Sequence, residues 1–276
     1  MEDRGMERLI ALVTDRLKDR ASGAKAEFAA NQGSHGIGFC AIDGLLPEAD
    51  AQAAYAAFAL GNPVWRLMDT FRERKLTSKQ FDCFDPILKQ ITFALQAPGV
   101  VSLIEEITGI QGQLPDPKLY AGGLSMMREG DFLDPHIDNS HDQFQQVYRR
   151  LNLLYYLTPG WSLEKGGNLE LWDKRVQKQQ TLVSAFNRLV LMETHSLSWH
   201  SVSRVVPDGS HRCCVSNYYF SKESPTGSDY YHVTSFMARP GHSLRRSLCR
   251  IDNTFRSLAR VIKKGGFGKV DIYRGK

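Results

Sequence analysis

At 276 residues, 42% hydrophobic and 24% charged, the chain has an ordinary globular composition and enough length for one large buried core. No apolar run approaches the roughly 20 residues of a membrane-spanning helix. Cys40, Cys83, Cys213, Cys214 and Cys249, odd in number and without a Cys-x-x-Cys pair, argue against a disulfide framework and a thiolate zinc site.

The charges of +5 net are unevenly placed. Residues 239–276 hold 11 Lys and Arg against 2 Asp, leaving 24 basic against 28 acidic residues in the rest of the chain.

In chain order, residues 1–21 mix charges with apolar residues and lack a signal peptide's unbroken apolar centre, so a cytoplasmic location is expected. They read as an amphipathic helix with Met6, Ile10, Val13 and Leu17 on one stripe, followed by a connection over Ser22–Gly36. A short strand is expected at Ile37–Ile42, and an Ala-rich helix at Pro47–Leu60, where Pro47 suits a helix start. Further helices are expected at Phe84–Ala97 and Val101–Thr108. From about Tyr120 the pattern changes to short apolar runs at Gly122–Arg128, Arg150–Leu157, Leu169–Trp172, Thr181–Val183, Arg188–Glu193, Ser201–Val206 and Arg212–Phe220. Gly, Pro, Asp and Asn clusters separate them, as in an antiparallel sandwich or barrel. The fold class expected is therefore mainly β with flanking helices, a double-stranded β-helix (jelly roll) core buttressed by N-terminal helices.

The chemistry concentrates in Gly130–Asp138. On a strand, residues i and i+2 share a face, so His136 and Asp138 can reach one cation together. A His-x-acid pair alone is common by chance in a chain with 8 histidines and 30 acidic residues. Its weight changes with the second half of the pattern: an apolar strand over Asn187–Glu193 leads into Ser198-Trp199-His200. A second histidine there completes a two-histidine, one-carboxylate face, with sites left open for a co-substrate and dioxygen. Beyond the Pro207-Asp208-Gly209 turn, Arg212 opens a strand on which Arg212, Cys214, Ser216 and Tyr218 share one face. An arginine aimed into an apolar barrel calls for an anion, and a dicarboxylate could bind iron at one end and the guanidinium at the other.

The chain here resembles the prolyl-4-hydroxylase-like 2-oxoglutarate/Fe(II) oxygenases over roughly residues 37–221. The resemblance is strongest in Gly130–Asp138, Arg149–Leu157, Gly166–Trp172 and Asn187–Phe220. It implies that His136, Asp138 and His200 bind iron, that Arg212 binds the distal carboxylate of 2-oxoglutarate, and that Tyr156 and Ser216 assist it. Arg149, Trp172 and Tyr218 are candidate substrate contacts at the mouth, with core packing the alternative for the last two. The implied cofactors are Fe(II) with 2-oxoglutarate and O2 as co-substrates, ascorbate being left open as an accessory. The implied reaction is hydroxylation of an unactivated C–H in a prolyl, amino-acid-like or natural-product substrate, small molecule, peptide or protein, with release of succinate and CO2.

Two other readings stay open: a non-catalytic jelly-roll binding protein acting through its basic tail, and a nucleic-acid dealkylating oxygenase. Tyr218, where the latter would carry a second arginine, disfavours it. The expected organisation is a helix and connection over 1–36, the oxygenase domain over 37–221 with its core at about 120–221, and a basic extension over 222–276. In that extension Leu244, Leu248, Ile251, Phe255, Leu258 and Ile262 fall on one stripe of a helix at about 243–264. Its basic rim is expected to be solvated around a helix packed on the barrel, or to meet an anionic partner or membrane surface; nucleic acid is not expected.

Overall fold

The computed structural model describes residues 2–60, 63–120, 122–242, 244–249, 251 and 273. Helix α1 (Glu2–His35) is far longer than the sequence reading, and Ser22–Gly36 is helix almost to its end rather than a connection. The reason is that the buried stripe continues: Ala24 and Phe28 follow Leu9, Val13 and Leu17 into the interior. Alanine, the strongest helix former, also recurs through this stretch. Gly36 ends the helix at φ +72°, a left-handed position that favours glycine. Gly38 is needed for a different reason, because a Cβ there would lie 2.3 Å from the Phe28 ring.

Strand β1 (Phe39–Asp43) and helix α2 (Glu48–Ala57) follow the expected order. Next comes a hairpin without apolar alternation, and hence without a sequence signal: β2 (Val64–Asp69) and β3 (Glu73–Lys79). Helix α3 (Pro86–Ala94) starts at Asp85, whose carboxylate accepts from the Ile87 N–H at 3.0 Å; α4 (Pro98–Thr108) ends at Gly109 at φ +72°. No single described helix is long and apolar enough to cross a membrane.

The remaining strands are β4 (Leu114–Pro115), β5 (Gly123–Met127), β6 (Phe132–Ile137), β7 (Tyr148–Tyr156), β8 (Leu169–Trp172), β9 (Gln179–Leu182), β10 (Arg188–Glu193), β11 (His200–Val202), β12 (Arg212–Ser221) and β13 (Ser235–Phe236). All pairing among the described residues is antiparallel, in the order β1-β10-β7-β12-β5-β3-β6-β11-β8-β9. One wall, β1-β10-β7-β12-β5, is backed by α1, α3 and α4. There Leu151, Leu153 and Tyr155 of β7 join Leu17, Leu88 and Ile104 in the largest core cluster. The alternate residues Leu154 and Tyr156 turn inward with Cys214 and meet Leu169 and Leu171 of the second wall. This period-two division between a helix-backed face and an inner face is the expected jelly roll.

One irregularity changes what the inner face presents. Between β7 and β12 the register passes from Tyr219↔Leu151 to Phe220↔Arg149, leaving Arg150 as an extra residue. Strict alternation from Asn152 would turn Arg149 outward; the bulge returns it to the inner face.

The C-terminal segment differs from the expected arrangement. Helical residues are described at 244–249 and at 251; Arg250, Phe255, Arg256, Leu258, Arg260, Ile262, Lys263 and Lys264 lie outside the described residues. Leu244 is 82% exposed and Leu248 56%, so the predicted apolar stripe faces outward here. Arg245 instead turns to the body and meets Asp134 at 3.0 Å, while Arg246 donates to the Ala238 carbonyl at 3.1 Å. A nearly buried carboxylate requires a nearby cation, and that requirement outweighs apolar periodicity at this point.

Candidate metal and co-substrate site

His136 lies near the end of β6 and His200 opens β11, and the two are direct partners across an antiparallel pair. Their ring centroids are 4.1 Å apart. Asp138 follows two residues after His136, just beyond the strand, with its oxygens 3.7 Å from each imidazole Nε2. One ligand atom from each of the three residues lies within 4.8 Å of the others, the one such cluster among the described residues.

The backbone sets the direction of each ring. His136 Nδ1 faces the Asp134 carbonyl at 3.1 Å and His200 Nδ1 faces the Ser198 carbonyl at 2.9 Å. A nitrogen facing a carbonyl carries a proton, so Nε2 is the nitrogen that each ring can offer to a cation. Burial, reinforced by His200 and opposed by Asp138, lowers the His136 pKa to about 3, which keeps the imidazole neutral. Burial would raise Asp138, but Arg149, His200 and His136 outweigh it and bring the carboxyl down to about 2. Its buried Oδ2 makes no hydrogen bond. Two imidazole nitrogens and one carboxylate, converging on one another, fit the donor set of a non-haem Fe(II) site.

Arg212, the first residue of β12, lies in the same cavity and is almost fully buried. Its Nε donates to Ser184 Oγ at 3.3 Å, and its Cζ sits 4.8 Å from the Tyr156 ring centroid. No acidic side chain among the described residues forms a salt bridge with it. A buried guanidinium without a counter-ion is costly, which marks this end of the cavity for a carboxylate ligand. The Tyr156 hydroxyl is buried without a hydrogen-bond partner and its ring lies against the Arg212 guanidinium, although Tyr156 is not among the residues that line the cavity itself. Burial, opposed by Arg212, raises its pKa to about 12, so it remains a donor. Ser216 lines the cavity farther along the inner face of β12.

Ser184 is a residue the sequence reading missed. It is buried, donates to the Gly167 carbonyl at 2.9 Å and accepts from Arg212, yet it sits in a loop where no periodicity marks it.

Of the candidate substrate contacts, the structure brings two into the cavity and not the third. Arg149, 2% exposed, lies 3.4 Å from Asp138 Oδ2 and donates to Asn139 Oδ1 at 2.8 Å. Its Cζ sits 4.1 Å from the Tyr218 ring centroid. Trp172 packs instead with Ile137, Val176 and Trp199, and donates from Nε1 to Ser201 Oγ at 2.7 Å, so it is a core residue here. The cavity is about 450 Å³. Arg66, Met68 and Lys75 of the β2–β3 hairpin also line it, together with Tyr120 and Thr234. His232 is half-buried, and its backbone N–H donates to Ser140 Oγ at 2.9 Å.

Comparison with known proteins agrees with this geometry. Residues 122–220 match the family described as the 2OG-Fe(II) oxygenase superfamily, a stretch that contains His136, Asp138, His200 and Arg212. Over 88 residues, 30% of this chain and 16% of the relative, it is 30% identical to prolyl 3-hydroxylase OGFOD1 of Mus musculus. Over 95 residues, 32% of this chain and 19% of the relative, it is 35% identical to the Xenopus laevis protein of the same name. The matches thus span less than a fifth of the length of these curated relatives.

Among solved structures, a Trichoplax adhaerens prolyl hydroxylase in complex with a hypoxia inducible factor oxygen degradation domain peptide superimposes with a TM-score of 0.51 at 18% identity. The match covers 77% of this chain and 96% of that one. A Pseudomonas putida prolyl-4-hydroxylase gives 0.50 at 15% identity, over 71% and 98% of the two chains. These likenesses establish the jelly-roll fold. The triad and the buried Arg212 fit the Fe(II) and 2-oxoglutarate named in the description of the matched family.

Proposed function

We propose that this chain, carrying the core of the 2OG-Fe(II) oxygenase superfamily over residues 122–220, is a dioxygenase that hydroxylates a prolyl residue of a peptide or protein. The observation that carries the enzyme reading is one cavity holding both a three-residue metal cluster and a buried arginine without a carboxylate partner among the described residues. Either feature alone has structural explanations, whereas together they match the two ends of one chelating dicarboxylate. The prolyl substrate rests on the two curated relatives being prolyl 3-hydroxylases and on the peptide held by a structural neighbour.

In this reading His136 and His200 would offer Nε2, and Asp138 a carboxylate oxygen, to the metal, which would also take 2-oxoglutarate. Arg212 pairs with the distal carboxylate of 2-oxoglutarate while Tyr156 donates a hydrogen bond to it, fixing the co-substrate's orientation. Leu154, Leu169 and Val202 line the interior and limit water around the reacting atoms. When bound, iron and 2-oxoglutarate supply the oxidation: one O2 oxygen enters the substrate C–H as hydroxyl, the other enters succinate, and CO2 leaves. Arg149 and Tyr218 form the cavity wall beside Asp138, where they orient the target residue.

The first test is anaerobic addition of Fe(II) and then 2-oxoglutarate to the purified protein, followed by visible spectroscopy. A weak metal-to-ligand charge-transfer band is expected, and its loss in Asp138→Ala. Its absence from folded wild-type protein would remove the oxygenase reading. Proline-containing peptides are then screened for coupled succinate release and a gain of one oxygen by mass; coupled oxidation only of free small molecules would overturn the peptide assignment.

A further inference from the structure

The polypeptide beyond the matched region returns to the metal site. Strand β13 pairs with β6 at Ile137 and His136 itself, and the Met237 N–H donates to the Pro135 carbonyl at 2.8 Å. This places the buried Phe236 ring 5.5 Å from the His136 ring, with 23° between their planes. One face of a metal-ligating imidazole therefore rests on a residue of the extension.

Three residues on, Arg239 reaches two nearly buried carboxylates. Its Nη2 lies 2.5 Å from Glu170 Oε2, and its Nε lies 3.9 Å from Asp134 Oδ1. Both acids sit beside the ligands. Asp134 is two residues before His136 on β6, and its carbonyl orients the His136 ring. Glu170, on β8, is the register partner of Ser201, the residue after His200, and accepts from the Ser201 hydroxyl at 2.5 Å. Arg239 also donates to the Val202 carbonyl at 3.2 Å. Among the described residues it is the one basic side chain in a salt bridge with Glu170. Arg239 thus joins β6, β8 and β11 from outside the cavity, touching neither metal nor substrate.

We propose that Phe236 and Arg239 are positioning residues of the metal centre, Phe236 by supporting the His136 ring and Arg239 by fixing the strands that hold His136 and His200. The inference rests on the triad being the metal site. It extends the functional unit past residue 221, where the sequence reading ended the oxygenase domain. Outer contacts of this kind hold a ligand in its binding orientation, and their loss typically weakens metal binding about 10–100-fold.

The test is Co(II) titration of the full chain, followed by its visible ligand-field spectrum, on wild type, Phe236→Leu, Arg239→Gln and Arg239→Lys. Phe236→Leu and Arg239→Gln are expected to bind Co(II) about 10–100-fold more weakly with an altered spectrum well below their unfolding temperatures, and Arg239→Lys to recover part of the loss. If Arg239→Gln fails to fold because Glu170 is left unpaired, Arg239→Gln/Glu170→Gln removes both charges and is expected to fold yet still bind weakly. Folded variants that bind Co(II) like wild type, with the same spectrum and only a lower melting temperature, would overturn the proposal. Wild type that binds no Co(II) would instead remove the metal-site reading on which it rests.

Discussion

A histidine that ligates a metal must lose its proton before it can bind, and His136 is held neutral by burial, with a pKa of about 3 in the metal-free fold. The unfolded chain takes up that proton near pH 6.5, so between about 6.5 and 3 the unfolded state binds more protons than the folded one. The metal-free protein is therefore expected to lose stability as pH falls through this window, by about 1 kcal/mol per pH unit from this residue. Urea unfolding at pH 7, 6 and 5 measures it, and a His136→Leu profile as steep as wild type would contradict the assignment. If Arg212 meets the far end of the co-substrate as proposed, Arg212→Ala should raise the KM for 2-oxoglutarate about 100-fold while changing Co(II) affinity only slightly. Equal losses of metal and co-substrate binding would place Arg212 in the wrong role. These residues were legible because their spacing has geometric meaning: i and i+2 on a strand, and a charged residue entering an apolar strand. Ser184 had no such signal, since its approach to Arg212 depends on how a loop folds back. For Trp172 the sequence left mouth and core both open, because an aromatic on a short strand suits either face; Ser201 supplies the partner that holds its indole in the core.

At the level of elements, the second wall depends on close backbone approach. Gly166 has φ +63°, and a Cβ there would lie 1.9 Å from the Arg204 carbonyl oxygen. Gly166→Ala is expected to cost about 2–4 kcal/mol through backbone strain and steric displacement, read as a lower urea midpoint. Loss of less than about 1 kcal/mol would mean that the Arg204 segment yields easily. On the first wall, the fully buried Leu17 of α1 should cost about 2–5 kcal/mol as Leu17→Ala while leaving the KM for 2-oxoglutarate unchanged. A changed KM would show that the helix layer reaches the site. The β strands with apolar alternation were legible. The polar β2–β3 hairpin was not, because its residues are mostly half-exposed and its pairing is settled by neighbouring strands. Nor does a sequence display the extra residue in β7, since a bulge exists only relative to a partner strand.

Across the whole molecule, helices stabilise one wall while the cavity opens between the two. Ligands that bind only the folded form should therefore report on global stability. Saturation with Co(II) and 2-oxoglutarate at about 100 times their dissociation constants should add about 2.7 kcal/mol per independent ligand, and thermal unfolding would show it as a rise in Tm. No shift from 2-oxoglutarate in the presence of metal would argue against the Arg212 end of the cavity as its seat. The antiparallel partnership of His136 with His200 carries one more consequence, for the history of each molecule. Between these residues in the chain lie β7, β8, β9 and β10, which must be threaded into both walls before the two imidazoles can meet. Contacts so distant in sequence form late, after the entropy of closing the intervening loops has been spent. A nascent chain accordingly has no cradle for iron while its first half emerges, and the metal cannot template folding. Metal uptake is therefore expected to follow the pairing of β6 with β11, and occupancy would report which molecules have formed that pair.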